Sequence, residues 1–262
     1  SFDTKWKDVE IECECTAEGG TRLIFSFGEF KGDIYIDDFV FKATGVNYAY
    51  EPMTPEEKKS TAYHEAGHAT VSWLLPNANP LFKVTIVPRG QSLGAAWYLP
   101  EERHVNTKEH MIDEMCSLIG GRVADELHTG QPCTGALSDL ERLTKMAYGM
   151  VTYYGMSEKV GNLSFYDSTG ARGYDLTKPY SEKTAELIDK EVKDLIDMIH
   201  DRTEKILREN FDGFSQLAEL LLEKEVIFAD DLERIFGPRA GAKPGEVLPK
   251  DSEESARQEE QE

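Results

Sequence analysis

The segment His64-Glu65-Ala66-Gly67-His68 constrains this chain more than any other feature. It lies in a run that reads as one helix. Thr54-Pro55-Glu56-Glu57 is a helix start, with Thr at the N-cap, Pro at the first helical position and Glu at the third. The helix should run to Leu75 and stop at Pro76. Positions i and i+4 share one helix face, so both imidazoles can reach a single point. Two neutral nitrogens about 2 Å from one Zn²⁺ need that spacing. Glu65 directly follows the first imidazole, which sets its carboxylate on the flank of such a metal, where it can accept and return a proton. The rest of the helix is apolar, with Ala62, Ala66, Ala69, Val71, Trp73 and Leu74. Two histidines and a glutamate are costly in that setting unless they are occupied.

Two histidines do not close a catalytic zinc site, which takes three protein ligands and a water. The downstream candidates are Glu126, Asp125, His128, Asp139 and Glu141. Asp139 falls in the first turn of a predicted helix, where free backbone N–H groups and the helix dipole favour a carboxylate. His128 reads as a solvated residue at a helix end. His104 and His110 read as surface residues beside a helix start, and His200 as a residue on the polar side of a long helix.

Residues 46–237 are mostly helical by pattern, with one strand-rich interruption. Residues 83–88 and 93–99 predict two strands around Arg89-Gly90. A second helix should span residues 107–127 and end near Gly130. A third should begin close to Leu137 and end before Gly155. A long helix should start at Ser181 and run toward Asn210, with Leu187, Val192, Leu195, Ile196, Ile199, Ile206 and Leu207 as its apolar stripe. Two short helices follow, over residues 213–224 and 229–236. Residues 1–45 read as a β-rich segment too small to stand alone. Residues 238–262, with Pro238, Gly241, Pro244, Gly245 and Pro249 before an acidic run, read as a disordered tail.

Charge narrows the partners. Lys plus Arg number 29 against 49 for Asp plus Glu, a formal net charge of −20. Nucleic acid and anionic membrane surfaces repel such a chain, so no nucleic-acid partner is expected. No stretch reaches the length of apolar residues that spans a bilayer, and the charged first twenty residues do not read as a signal peptide. Four scattered cysteines (Cys13, Cys15, Cys116, Cys133) suit a reducing compartment better than a disulfide scaffold.

Several separated motifs agree in order and spacing with one known family. They are His64 to His68, then Lys83-Val84-Thr85-Ile86-Val87-Pro88-Arg89-Gly90, then Gly94. Gly120-Gly121-Arg122 with Asp125-Glu126 follows, and last comes Thr134-Gly135-Ala136 before Asp139-Leu140. Together they resemble the zinc peptidase domain of the FtsH-type AAA protease family. The resemblance implies a mainly α fold with a small β-sheet, a zincin-like helical peptidase domain. It implies one Zn²⁺ per chain, held by His64, His68 and Asp139, with Glu65 as catalytic base and Glu126 supporting a histidine from behind. It also implies that residues 83–88 are an edge strand binding an extended substrate through Val84, Thr85, Ile86 and Val87. Independently of the resemblance, Val84, Ile86 and Leu93 suit strands, and an exposed edge here could pair with a peptide backbone.

The family resemblance further implies an ATP-dependent endopeptidase acting on unfolded and membrane-protein substrates. It implies a homo-hexamer in the cytoplasm or on the cytoplasmic face of a membrane. This chain contains no Gly-x-x-x-x-Gly-Lys-Ser/Thr, so no ATP site is expected in it. Gly32-Asp33-Ile34-Tyr35-Ile36-Asp37-Asp38-Phe39 resembles the closing strands of a jelly-roll carbohydrate-binding module. The alternative reading is a non-catalytic binding or assembly subunit, with residues 1–45 as a targeting segment. An aminopeptidase, with Glu126 as third ligand, is a further option.

Overall fold

The structure, a computed structural model, describes residues 53–88, 94–98, 105–165 and 179–242. The chain divides between Tyr50 and Glu51, and every element below belongs to the second unit. The expected β segment of residues 1–45, its jelly-roll likeness and the tail beyond residue 242 lie outside the described residues.

Helix α1 spans Pro55–Leu74. The Thr54 side chain accepts from the Glu57 N–H while Glu57 accepts from the Thr54 N–H, so two donors that the first turn would leave unpaired are satisfied. Leu75 is already extended, as a residue before proline prefers. Two strands follow, β1 over Leu81–Thr85 and β2 over Ala95–Tyr98. Helix α2 spans Lys108–Thr129, capped by Thr107 and ended by Gly130 in the left-handed region (φ 73°). A 3-10 turn over Thr134–Ala136 leads into α3, Leu137–Thr152. Helix α4 spans Glu182–Glu209, α5 spans Phe211–Lys224, β3 spans Val226–Phe228 and α6 spans Ala229–Phe236. The fold is mainly helical with one small sheet, as the pattern predicts.

The sheet is antiparallel with strand order β2-β1-β3. Val84 pairs with Ala96 on one side and Ile227 on the other. Strand β3 is absent from the sequence reading, and its arrival places β1 in the middle. Residues 83–85 are therefore not an edge, which corrects the expectation for Val84 and Thr85; the Ile86 N–H donates to the Glu225 carbonyl, and Val87 lies beyond the paired residues. The described edge on that side is β2.

The core is continuous. Leu81, Val84 and Ile227 of the sheet are fully buried with Ala62, Ala66, Met115, Leu143 and Phe214 of the helices. On α4 the buried line is Ala185, Ile188, Val192, Ile199, Thr203 and Leu207, with Leu187, Leu195, Ile196 and Ile206 flanking it. The ordered chain also outlasts residue 237. Arg239 is 6% exposed and donates to the Ala78 and Gly241 carbonyls, while the Ala240 N–H donates to the Trp73 carbonyl. Residues 238–242 thus close over the end of α1 rather than beginning a tail.

Helices α1 and α2 cross at unusually close range because their contact is made of small residues. A β-carbon on Gly67 would stand 2.5 Å from both the Ala124 β-carbon and the Gly120 carbonyl oxygen. A β-carbon on Gly120 would stand 2.8 Å from the Gly67 oxygen. This crossing sets the spacing of the site.

Candidate metal centre

His64 and His68 leave α1 one turn apart and converge on the first turn of α3. Their Nε2 atoms lie 3.1 Å from each other. Each lies 3.5 Å from Asp139 Oδ2. Tetrahedral bonds of about 2.0–2.1 Å would space donors about 3.3–3.4 Å apart. The three edges therefore match one ion at bonding distance from all three atoms. Two imidazoles and a carboxylate are the ligand types Zn²⁺ takes, with a fourth position open.

The rings are fixed from behind. Asp125 Oδ2, 2% exposed as a residue, accepts from His64 Nδ1 at 3.0 Å. His68 Nδ1 lies 2.8 Å from the Ser117 carbonyl oxygen, which can only accept, so that nitrogen carries the proton. This contact decides the tautomer over the longer 3.4 Å approach of the Gly121 N–H to the same atom. Both Nε2 lone pairs then face the convergence point. The floor beneath them is Gly121. A β-carbon there would stand 2.5 Å from His64 Nε2 and from His68 Nε2.

The cluster favours a cation. Burial alone would lower His64, but hydrogen bonds to Asp125 and Asp139 outweigh it and raise the group to about 10. Burial would likewise raise Asp139, yet its hydrogen bonds to His64 and His68 hold it below the ordinary carboxylate range. A proton on the imidazoles and a metal ion thus compete for one place.

Glu65 is 6% exposed. Burial pushes its carboxyl above the usual range, against the pull of His68 and His64. Strand β2 starts beside it: a β-carbon on Gly94 would stand 2.8 Å from Glu65 Oε1. Glycine there lets backbone pass directly over the carboxylate.

A family profile described as peptidase family M41 matches residues 51–235. The chain belongs to peptidase family M41. Its relatives include a protein named ATP-dependent zinc metalloprotease FtsH from Parabacteroides distasonis, 60% identical over 187 residues, which are 71% of this chain and 27% of that one. A protein of the same name from Rhodothermus marinus is 53% identical over 190 residues, 71% of this chain and 27% of its own length. The mouse mitochondrial inner membrane m-AAA protease component AFG3L2 is 47% identical over 195 residues, covering 74% and 24%. The chain spans about a quarter of the length of these curated relatives. As an M41 domain it is a metallopeptidase, and the likeness to the FtsH-type family that the motifs carry is thereby shown.

Within the M41 domain the structure brings together His64, Glu65, His68 and Asp139, and leaves Glu126 aside. Glu126 does not touch either site histidine. Its Oε1 accepts from Arg122 Nε at 2.8 Å and its Oε2 lies 2.9 Å from His200 Nε2. The adjacent Asp125 supports His64 instead, because neighbouring residues on a helix point about 100° apart. This corrects the expected role of Glu126. His128 stacks on Tyr63, ring centroids 3.7 Å apart, away from the metal donors. Ser117 and Gly121 act through backbone and through the absence of a side chain, which residue-type reasoning misses. The adjacent glycines Gly120-Gly121 within a helical pattern were the available signal.

Proposed function

We propose that this chain is the zinc-dependent endopeptidase unit of an FtsH-type protease, with His64, His68 and Asp139 as ligands and Glu65 as base. The observation that carries the reading is the triangle of Nε2, Nε2 and Oδ2 atoms with edges of 3.1, 3.5 and 3.5 Å. When bound, zinc supplies Lewis acidity that polarises a carbonyl and brings the pKa of a water toward about 7.

The chain's own residues do the rest. Asp125 and the Ser117 carbonyl hold the imidazoles so that only Nε2 faces the substrate side. Glu65, shielded from solvent, takes a proton from the attacking water and delivers it to the leaving amine. Burial raises its affinity for a proton above that of an ordinary carboxylate, the direction a base that must also return the proton needs. Among the described residues β2 pairs with β1 alone, and its start passes Glu65. An extended peptide added along β2 would lie across the site through backbone hydrogen bonds, a sequence-tolerant mode suited to unfolded chains.

Names of the relatives support ATP dependence, and the matched part is about a quarter of their length. We assign unfolded and membrane-protein polypeptides as substrates, a homo-hexamer as the assembly and the cytoplasmic face of a membrane as the location. None of the described helices is long and apolar enough to cross a membrane. Among the described residues, the buried Glu65 carboxylate beside the paired imidazoles supports the catalytic reading over a non-catalytic subunit.

Metal analysis of the wild type beside Asp139→Ala tests the ligand set. One zinc per chain in the wild type and a large loss in the variant is expected. Equal zinc in both would remove Asp139 from the site.

A further inference from the structure

Asp139 stands in the first turn of α3, whose start has no side-chain cap although its later turns are buried in the core. Its place depends on the connection from α2. That connection is tied at two points. Thr129 Oγ1 donates within the turn, 2.7 Å from the Asp125 oxygen and 2.8 Å from the Gln131 oxygen. Further along, Arg122 Nη1 donates to the Cys133 carbonyl at 3.0 Å. Cys133 is the residue immediately before the 3-10 turn that leads to Leu137 and Asp139.

Arg122 is itself held. Its Nε donates to Glu126 Oε1 at 2.8 Å, one turn along α2, and the other oxygen of Glu126 lies 2.9 Å from His200 Nε2 on α4. The guanidinium fork spends one arm on Glu126 and one on the Cys133 peptide, both half-buried. Arg122 and Asp125 are three apart on α2 and so lie on one side of it. One holds the peptide leading to Asp139, the other holds His64. A single turn of α2 thus sets the spacing between ligands that come from different helices.

We propose that Arg122, braced by Glu126 and His200, is a positioning residue for Asp139. The proposal rests on the reading of Asp139 as a metal ligand. Outer partners that orient a ligand commonly change metal affinity by about 10–100-fold.

The test is zinc affinity of the full chain by chelator competition, for wild type, Arg122→Met, Asp139→Ala and the double variant. Arg122→Met should weaken zinc by about 10-fold or more, and the double variant should bind no worse than Asp139→Ala alone. Wild-type affinity in Arg122→Met, or the same further loss on the Asp139→Ala background, overturns the proposal. Wild-type affinity in Asp139→Ala instead overturns the ligand reading beneath it. Should Arg122→Met fail to fold, His200→Leu removes the far brace on an outer helix. It should speed amide exchange at residues 137–139 and weaken zinc, and no change in either overturns the proposal.

Discussion

Gly121 lies directly beneath His68, so close that a β-carbon on it would stand 2.5 Å from the Nε2 atom. The metal-facing nitrogens rest on a bare backbone, because that position of α2 has no side chain to displace the two rings. Gly121→Ala should therefore push both rings off their shared point. We expect about 1–3 kcal/mol of destabilisation from overpacking and a loss of bound zinc larger than the fall in stability implies. Thermal melting and metal content of the same sample check this. An alanine variant with full zinc would show that the rings tolerate displacement.

Asp125 holds His64 through Nδ1 at 3.0 Å. Asp125→Ala should cost about 10–100-fold in zinc affinity, as loss of an outer carboxylate does elsewhere. Asp125→Asn, which keeps an acceptor oxygen and loses only charge, should fall between that variant and the wild type. Glu126→Ala should leave His64 in place, because its carboxylate points to Arg122 and His200, and should weaken zinc less than Asp125→Ala does, through the loosened Arg122 alone. A chelator titration ranks the three.

The His64 proton gives the metal-free protein a signed pH dependence. Its folded value, about 10, lies above the unfolded value of about 6.5. The stability it contributes is complete below about 6.5 and is lost as pH rises through the folded value. Metal-stripped protein should become easier to denature between those limits, and zinc should bind more tightly over the same range as the competing proton leaves. Urea midpoints and zinc affinities at a series of pH values measure both. A flat midpoint through this window contradicts the assignment.

The cap of α1 gives a prediction independent of metal. Thr54→Ala removes a donor's partner at the first turn and should cost about 1 kcal/mol with zinc content unchanged. Calorimetry with metal analysis separates the two effects.

The legible part of the site was the local part. His64, Glu65 and His68 sit on one helix, and a single periodicity places all three. Asp139 was one of five acidic or histidine candidates until the wider motif pattern singled it out. Asp125 and Glu126 are adjacent, and only the rotation of α2 against α1 decides which meets His64. His200 depends on how α4 crosses α2, so its contact with Glu126 has no local signal. The Ser117 carbonyl is backbone and carries no residue signature. Strand β3 is three residues between two helices, too short for a period, and without it β1 reads as an edge. The buried guanidinium of Arg239 lies in a Pro- and Gly-rich stretch whose composition suggests disorder, but its hydrogen bonds to the Ala78 and Gly241 carbonyls hold that stretch against α1.

Glu65→Gln tests the central claim most directly. The substitution keeps the shape of the side chain and removes its capacity to take a proton. Zinc content and casein cleavage should be measured on one preparation beside wild type. The account predicts equal zinc and a cleavage rate lower by about 10²–10⁴-fold. Equal zinc with a near wild-type rate would contradict it.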